Sequence, residues 1–285
     1  MNSQTKVPLI SVYIPTFNRP DELQKAVDSV LNQTYPSVEI LVVNDGDTLP
    51  EQISSYLKNN NVIQLSTQGR QGACVARNKA IVAANGEYIT GLDDDDTFTS
   101  ERLAEFYSWT ATHGDACLFT NYIYVEPDKR KKRRCNYSEI DENTIFQGNF
   151  INNQMFAPKR FFVDSGLFDE TLPAWQDYDM WIRMIKNFGP AILLDNYSYI
   201  MDGSADIRIS KSPVSVEKAI TIFIQKYPEY QQEKYLAYAS FNKQAYFTIG
   251  IEIKEFYLMF KYLNKTSIFR LLVEKLLFKV KNILK

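Results

Sequence analysis

The sequence predicts an α/β protein with a mostly parallel central sheet flanked by helices and a helical extension at the C-terminal end. Three features of the chain lead to this prediction. Strand and helix patterns alternate from Leu9 to Thr120, the 285 residues suffice for a large domain with an appendage, and the pattern becomes helical and aromatic after Ser212. We therefore predict a first domain over residues 1–210 and a helical region over residues 211–285.

The individual elements are predicted from hydrophobic periodicity and from the residues that start and stop them. Apolar and β-branched runs predict strands at residues 9–14, 38–43, 62–66, 88–92 and 117–120. Helices are predicted to begin at Pro20, Glu51 and Ala73 and, with a serine cap, at Ser100. The second half predicts a hairpin over residues 121–135, a helix over 177–187 and a strand over 191–194.

Composition and charge narrow the class of protein. Apolar residues make up 45% of the chain and aromatic residues 14%, which excludes disorder as the main state. The formal net charge is −2, so we expect no nucleic-acid partner. The three cysteines lack metal-ligand spacing and are expected to be reduced thiols. We also expect no secretory signal and no membrane span, because every apolar run is short.

Four adjacent aspartates follow the predicted fourth strand directly. In an open α/β sheet, ligands bind beyond the carboxyl ends of the strands, where this run lies. Adjacent carboxylates repel one another unless a cation neutralises them, and oxygen ligands suit Mg²⁺ or Mn²⁺. If the segment is extended, Asp93 and Asp95 share a face and can hold one ion, while Asp94 and Asp96 point elsewhere. The alternative is a solvated acidic turn.

Polar residues also follow the first and second strands. The first strand leads into Pro15-Thr16-Phe17-Asn18-Arg19 and the second into Asn44-Asp45-Gly46-Asp47. A flat ring and a carboxylate suit a nucleoside, although each segment alone is also compatible with an ordinary turn. The dinucleotide fingerprint and the phosphate-loop lysine motif are both absent, which argues against a nicotinamide enzyme or an ATPase.

These segments, taken in order, resemble the motifs of glycosyltransferase family 2, the inverting enzymes of the GT-A fold. The segments are Ile14 to Arg19, Val42 to Gly46, Ala76-Arg77-Asn78, and Gly86 to Ile89 leading into the aspartate run. A later segment, Gly166 to Glu170 followed by Gln176 to Arg183, is similar to the acceptor-side motif of the family. The resemblance covers about residues 7 to 205.

The resemblance implies a role for each matching residue. Asp93 and Asp95 would bind the metal, Asp177 would be the general base, and Asp45 would contact the uracil. Further nucleotide-sugar contacts are expected from Pro15, Thr16, Phe17, Arg19, Asp93 and Asp94. The charge of a diphosphate leads us to expect a contact from Arg77 or Arg70 as well, and the alternative is that these are surface or structural arginines. The chain departs from the family at Asn44 and Gln176, where acids are usual. It also lacks the histidine that often follows the last core strand, and Asp202 or Asp206 are the candidates to replace it.

The implied reaction is the transfer of a hexose from a UDP-sugar with Mn²⁺ or Mg²⁺ as cofactor. Within the family, the sequence resembles bacterial enzymes that extend O-antigen or capsule units on undecaprenyl diphosphate in lipopolysaccharide and surface polysaccharide biosynthesis. The expected activity is a β-1,3 transfer from UDP-glucose to GlcNAc-diphospho-undecaprenol. UDP-galactose and UDP-GlcNAc are alternative donors. A glycoside hydrolase and a non-catalytic sugar-nucleotide binding module are more distant alternatives.

The C-terminal end differs in charge from the rest of the chain. Residues 261–285 contain seven basic residues and one glutamate, and apolar residues from Phe269 to Ile283 fall on one helical face. This pattern predicts an interfacial helix over about residues 266–285 that places the protein peripherally on the cytoplasmic face of the bacterial inner membrane. The alternative is a helix packed on the protein. The basic run 129–134 is expected to be a solvated hairpin arm, and His113 a helix-end residue.

Overall fold

The computed structural model describes residues 7–203, 213–246, 253–263, 265–269 and 271–272. Contacts divide the chain into two compact units. The first comprises Met1–Glu142, Phe150–Glu170 and Gln176–Ala205, and the second Asn143–Asn149, Thr171–Trp175 and Asp206–Lys285. The boundary predicted at residue 210 lies outside the described residues. The second unit takes up two short segments that the sequence assigned to the first domain.

Strands and helices alternate through the first half of the chain. The strands are β1 (Ile10–Thr16), β2 (Val38–Asn44), β3 (Ile63–Ser66), β4 (Tyr88–Gly91), β5 (Thr97–Phe98), β6 (Cys117–Glu126), β7 (Lys129–Arg133), β8 (Glu139–Ile140), β9 (Phe156–Pro158) and β10 (Ala191–Asp202). The helices are α1 (Pro20–Leu31), α2 (Glu51–Asn59), α3 (Ala73–Ala83), α4 (Arg102–His113), α5 (Glu142–Ile145), α6 (Lys159–Asp164), α7 (Gln176–Phe188), α8 (Pro213–Lys226), α9 (Glu233–Tyr246) and α10 (Ile253–Tyr262).

The strands of the first unit form one sheet in the order β3-β2-β1-β4-β9-β6-β10-β5. We call β3, β2, β1 and β4 the parallel half, because each of its neighbouring pairs is parallel. We call β9, β6, β10 and β5 the mixed half, because β9 and β5 run antiparallel to their partners while β6 and β10 are parallel. The predicted α/β fold with a mostly parallel sheet flanked by helices is confirmed.

The parallel half brings three strand ends to one edge. β1 and β2 are nearly continuous runs of buried β-branched and aliphatic residues, as expected for a sheet covered on both faces. β4 is also buried, whereas the edge strand β3 alternates between half-buried and exposed residues. Thr16 at the end of β1 lies opposite Asn44 at the end of β2, and Tyr13 lies opposite Gly91 at the end of β4. A Cβ atom at Gly91 would lie 2.5 Å from the Tyr13 ring, so glycine lets this ring pack across β4.

The mixed half differs most from the sequence prediction. The hairpin of β6 and β7 is present as expected, and β7 is exposed along its whole length. Both β6 and β10 extend well beyond the predicted strands, and the short strands β5, β8 and β9 were not predicted. The prediction that Ser100 caps α4 is wrong. The helix begins at Arg102 with Glu101 in the cap position, and the first-turn N–H of Leu103 donates instead to Oε1 of Gln33 at 3.0 Å.

The described part of the second unit is helical and rich in aromatic contacts. The ring of Phe146 packs edge-on against Tyr227 and Tyr230, and Tyr235 lies 5.6 Å from the same ring. None of the described helices has the length and apolarity required to cross a bilayer. Most of the predicted interfacial helix lies outside the described residues.

Candidate active site

The aspartates that follow β4 form a turn, which we call the acidic turn (residues 93–96). The backbone N–H of Asp96 donates to the carbonyl oxygen of Asp93 at 3.0 Å. The extended segment assumed from the sequence is therefore wrong, because this hydrogen bond folds the chain back on itself. Exposure nevertheless alternates: Asp94 and Asp96 are buried, whereas Asp93 and Asp95 are half-buried. The two predicted metal ligands remain the more accessible members of the turn.

Two arginines of the parallel half pair with the acidic turn. Arg77 on α3 donates from Nη2 to Oδ1 of Asp93 at 2.9 Å. Nη1 of Arg19, which follows β1, contacts Oδ1 of Asp94 at 3.2 Å and Oδ2 of Asp95 at 3.0 Å. The structure thus brings both predicted nucleotide-sugar arginines onto the aspartates. In the absence of substrate, they supply the positive charge that four adjacent carboxylates require.

Thr16 joins this network at the end of β1. Its hydroxyl donates to Oδ2 of Asp94 at 2.8 Å. Burial raises the pKa of Asp94 to about 6, although the hydrogen bond from Thr16 and the charge of Arg19 act in the opposite direction. For Arg19, burial lowers the pKa, but the charges of Asp94 and Asp95 outweigh this effect and raise it.

Neutral groups of the mixed half hold the two ends of the acidic turn. Nδ2 of Asn153, in the loop before β9, donates to Oδ1 of Asp93 at 2.7 Å. The hydroxyl of Tyr199 on β10 donates to Oδ2 of Asp96 at 2.7 Å, and the backbone N–H of Asp202 donates to Oδ1 at 2.9 Å. Burial raises the pKa of Asp96 well above its usual range. Sequence reasoning missed Asn153 and Tyr199, because neither belongs to a matching motif.

Asp45 lies at the end of β2 and is buried. Its Oδ1 accepts hydrogen bonds from the hydroxyl of Thr67 at 2.6 Å and from the backbone N–H of Gln71 at 2.8 Å. Its Oδ2 accepts the backbone N–H of Gly72 at 2.7 Å. Gly72 has φ = 98°, a conformation that favours glycine, and it precedes the first turn of α3. Asp45 thus ties the end of β2 to the start of α3, and its contact with uracil stays a prediction.

The predicted nucleoside pocket has one exposed aromatic face. Phe17 is 38% exposed, and the guanidinium of Arg70 lies 4.5 Å from its ring centroid. Pro15 lies within β1 opposite Val43. Asn18 adopts φ = 54°, and its Oδ1 accepts the backbone N–H of Asp47 at 2.9 Å. The left-handed backbone of Asn18 turns the chain sharply. Phe17 therefore faces solvent, and Arg19 faces the acidic turn.

Asp177, the predicted general base, is half-buried in the first turn of α7. Its Oδ1 accepts the backbone N–H of Tyr178 at 2.9 Å, and a helix N-terminus favours an ionised carboxylate. Burial lowers the pKa of Arg77, but Asp93, followed by smaller contributions that include Asp177, raises it by more. Asp177 and Asp93 therefore act on the same guanidinium. The nearby Asp179 is buried and paired with Arg183 at 2.7 Å, which indicates a structural role.

Tyr13 lies beneath this arrangement and was not singled out from the sequence. Its side chain is buried, and burial raises the pKa of its hydroxyl above the usual value. Arg77 acts in the opposite direction, while Asp93 and Asp177 add smaller increases. Arg77 on α3, Asp93 after β4 and Asp177 at the start of α7 thus all act on the buried Tyr13 hydroxyl.

The donor chemistry of the acidic turn suits a hard divalent cation. Mg²⁺ and Mn²⁺ take oxygen ligands and are usually bound by one or two carboxylates together with water and substrate phosphates. Asp93 and Asp95 provide such carboxylates. Within the described ranges, no group of three or more His, Cys, Asp or Glu side chains is arranged to hold a metal ion. The two-carboxylate chemistry fits the predicted cofactor, and its binding stays a prediction.

A small cavity adjoins the acidic turn. Its volume is about 130 Å³, and its lining includes Asp95, Asp96 and Asp202. Asp202 was one of two candidates to replace the histidine that the family often carries, and the structure brings it to this cavity. The other candidate, Asp206, lies outside the described residues. His113 lies at the end of α4, where its ring stacks on Trp109, as expected for a helix-end residue.

A nucleotide-sugar transferase is the class of protein that this edge of the sheet suggests, and comparison with known proteins identifies the family. The chain belongs to glycosyl transferase family 2, whose family model matches residues 11–171. It is a glycosyltransferase.

Individual relatives extend this comparison. The chain is 34% identical over 219 residues to the putative colanic acid biosynthesis glycosyl transferase WcaA of Escherichia coli (strain K12), covering 72% of this chain and 77% of the relative. It is 30% identical over 187 residues to the hyaluronan synthase of Pasteurella multocida, covering 63% of this chain but only 19% of that longer protein. The crystal structure of S. aureus TarS 1-349 matches with a TM-score of 0.64 and 18% identity, covering 89% of this chain and 78% of TarS. The last match shows the fold.

Proposed function

We propose that the protein transfers a hexose from a UDP-sugar, with inversion, to a lipid-diphosphate-linked sugar during the synthesis of a bacterial surface polysaccharide. The observation that carries this proposal is the ion pair between Arg77 and Asp93 at 2.9 Å, formed by a guanidinium on which Asp177 also acts. It joins carboxylates suited to the diphosphate side of a donor with a carboxylate suited to deprotonate an acceptor. Two similar proteins support the proposal: WcaA is named as a putative colanic acid biosynthesis glycosyl transferase, and a TarS structure contains UDP-GlcNAc.

The residues of the site divide the work of a single displacement. Asp177 accepts the proton of the attacking hydroxyl, while the acidic turn and its arginines face the diphosphate. When bound through Asp93 and Asp95, Mn²⁺ or Mg²⁺ supplies positive charge that stabilises a diphosphate leaving group. Because one displacement inverts the anomeric carbon, an α-linked donor gives a β-glycoside. Our specific proposal is glucose from UDP-glucose, β-1,3-linked to GlcNAc-diphospho-undecaprenol in O-antigen synthesis.

A donor screen tests the substrate part of this proposal. UDP-glucose, UDP-galactose and UDP-GlcNAc are each incubated with a synthetic GlcNAc-diphosphate-lipid and Mn²⁺, and the product is analysed by mass spectrometry. We expect a disaccharide lipid from UDP-glucose that EDTA prevents and Mn²⁺ or Mg²⁺ restores. If another UDP-sugar is preferred, that sugar and not UDP-glucose is the donor. If activity is undiminished in EDTA, the reaction does not depend on a metal ion. Cleavage of glycosides without any nucleotide would favour a hydrolase.

The variant Asp177→Asn separates an enzyme from a binding module. It keeps the size of the side chain and one oxygen that can accept the Tyr178 N–H, but it removes the basic carboxylate. We therefore expect transfer to fall at least about a hundredfold while UDP binding is unchanged. Asp128→Asn, at the exposed tip of the β6–β7 hairpin, is the matched control. Transfer at the level of this control would exclude Asp177 as the base.

We further propose that residues 266–285 bind the protein peripherally to the cytoplasmic face of the inner membrane. This segment combines an apolar face with five basic residues and one glutamate, and each basic residue contributes about 1 kcal/mol near an anionic surface. Removing it should release the protein from membranes, with UDP binding and transfer to a short-chain acceptor retained. A truncated protein that stays with salt-washed membranes would contradict the proposal, as would one that aggregates and no longer binds UDP.

A further inference from the structure

The core of the first unit contains a buried arginine without an ion pair. Arg102, the first residue of α4, has no exposed surface and forms no salt bridge within the described part of the chain. Its guanidinium lies 4.7 Å from the Phe98 ring centroid, 4.6 Å from that of Phe106 and 5.2 Å from that of Tyr199. Burial lowers its pKa to about 9, so the side chain still carries its charge at neutral pH.

The hydrogen bonds of Arg102 connect elements that are distant in sequence. Nη1 donates to the hydroxyl of Thr120 on β6 at 2.8 Å and to that of Ser198 on β10 at 3.1 Å. Nη2 donates to the backbone oxygen of Gln154 at 3.1 Å and to its side-chain Oε1 at 3.2 Å. One rigid, planar group therefore fixes α4, two strands and the loop before β9 relative to one another.

An apolar side chain would fill this space at a lower desolvation cost. Replacing buried charged groups by hydrophobic residues is often neutral or stabilising, so packing alone does not account for a charge at this position. The guanidinium differs from an apolar side chain because it donates hydrogen bonds in fixed directions, and these hold its partners in defined positions. The residues that Arg102 positions, and the groups that those residues contact in turn, therefore indicate its function.

Both sets of partners lead to the acidic turn. Gln154 follows Asn153, whose Nδ2 donates to Asp93 at 2.7 Å. Ser198 precedes Tyr199, whose ring packs on the guanidinium and whose hydroxyl donates to Asp96 at 2.7 Å. Asp93 and Asp96 are the two ends of the turn. Arg102 thus touches the neighbours of both neutral donors without itself reaching the carboxylates.

We propose that Arg102 is a positioning residue that sets the geometry of the acidic turn for the nucleotide sugar by fixing Asn153 and Tyr199. This inference rests on the proposed function, in which the turn binds the diphosphate of the donor. Loss of Arg102 leaves the four aspartates in place and changes only how firmly they are oriented. Partners that orient a binding group indirectly typically contribute about 10- to 100-fold to affinity or activity.

The test compares Arg102→Met and Arg102→Lys with a core variant remote from the turn. Leu57→Ala removes a fully buried side chain of α2 and serves as the control for lost stability. UDP affinity is measured by calorimetry with and without Mn²⁺, the donor and acceptor KM and kcat by transfer assay, and unfolding by thermal melting. We expect Arg102→Met to weaken Mn²⁺-dependent UDP binding and raise the donor KM at least about tenfold, with the acceptor KM unchanged.

The controls separate positioning from stability. Leu57→Ala should change UDP affinity and donor KM less than about threefold, even where it lowers the melting temperature more than Arg102→Met does. Arg102→Lys keeps the charge but not the planar donor set, and it should give an intermediate UDP affinity. If Arg102→Met does not fold, the lysine variant carries the test alone. The proposal would be overturned if a folded Arg102 variant bound UDP as tightly as Leu57→Ala when the two variants are equally stable.

Failure of this inference differs from failure of the proposed function. If Asp95→Ala abolishes Mn²⁺-dependent UDP binding and Arg102→Met leaves it intact, the acidic turn is the donor site and only the role of Arg102 is wrong. If Asp95→Ala also binds UDP normally, the acidic turn is not the donor site and both proposals fail.

Discussion

The two halves of the sheet hold the acidic turn by different chemistry. The parallel half contributes charged partners: Arg77 pairs with Asp93, and Arg19 pairs with Asp94 and Asp95. The mixed half contributes neutral donors, which are the Asn153 amide, the Tyr199 hydroxyl and a backbone N–H. The charged contacts include both of the more accessible aspartates, Asp93 and Asp95, whereas Tyr199 and the backbone N–H of Asp202 contact the buried Asp96.

This difference suggests a division of roles. Arginines reduce the repulsion among carboxylates, and in the proposed mechanism they would turn to the diphosphate once a divalent cation neutralises the aspartates in their place. Neutral buried donors add little net charge but fix the direction of each carboxylate, and they are costly to remove because their partner is left unsatisfied. Substitutions in the parallel half and in the mixed half should therefore differ in the size of their effects, in the salt dependence of those effects and in how well a conservative replacement is tolerated.

The largest effect is expected at a predicted metal ligand. Asp95→Ala should reduce hexose transfer at least about a thousandfold, equivalent to about 4 kcal/mol of activation free energy, because it removes a carboxylate from the proposed diphosphate site. Radiolabelled sugar transfer and Mn²⁺-dependent UDP binding measure the loss. Asp128→Ala, an exposed aspartate at the tip of the β6–β7 hairpin, is the control. Near-normal turnover of Asp95→Ala would remove the acidic turn from the mechanism.

The charged side of the comparison is tested by Arg77→Met. Because Asp93 then loses its ion pair in a largely buried setting, the free energy of unfolding should fall by about 2–3 kcal/mol, somewhat less than for a fully buried pair. Arg160 pairs with Asp115 at a similar distance but on the surface, so Arg160→Met should cost less than about 1 kcal/mol. Chemical denaturation measures both values. If both variants lose the same free energy of unfolding, the Arg77–Asp93 pair is no more stabilising than the surface pair of Arg160 and Asp115.

The neutral side is tested by Tyr199→Phe, which removes one hydroxyl from buried Asp96. We expect a loss of about 1–2 kcal/mol in unfolding free energy and a measurable loss of transfer, neither of which changes with salt. Tyr88→Phe is the matched control, since the Tyr88 hydroxyl donates to Asp115 at 2.9 Å away from the site. It should lose some stability but no activity. Wild-type activity in Tyr199→Phe would show that the neutral donors do not orient the turn.

The same two halves differ in how far the sequence predicts them. In the parallel half, strands of four to seven residues carry buried aliphatic runs and end in polar clusters, so both the strands and their shared edge were predicted. In the mixed half, β5 has two residues and β9 has three, which is too short for any periodicity to appear. Their pairing depends on long-range contacts that local pattern does not encode.

The site shows the same division. Thr16, Arg19, Arg77 and the aspartates belong to ordered motifs, and the structure brings them together. The orientation inferred for the aspartates was wrong because the hydrogen bond between Asp96 and Asp93 makes a turn that strand alternation does not anticipate. Asn153, Tyr199 and Arg102 carry no local pattern, and only their contacts across the sheet reveal them. A run of four aspartates in a sequence indicates that the folded protein supplies cationic or hydrogen-bonding partners for them, but it does not identify those partners.

The smallest expected effect sharpens the comparison most. Arg19 contacts both Asp94 and Asp95 from Nη1, and its side chain is 32% exposed. If the parallel half acts by charge alone, Arg19→Lys should cost less than about 1 kcal/mol, seen as a donor KM raised less than about fivefold, because an ammonium group can take the same place. Arg19→Gln should raise the donor KM more at low salt, and the gap should narrow as added salt screens the charge. A lysine variant as impaired as the glutamine variant would mean that the charged side also depends on donor geometry, and the two halves would then hold the acidic turn in the same way.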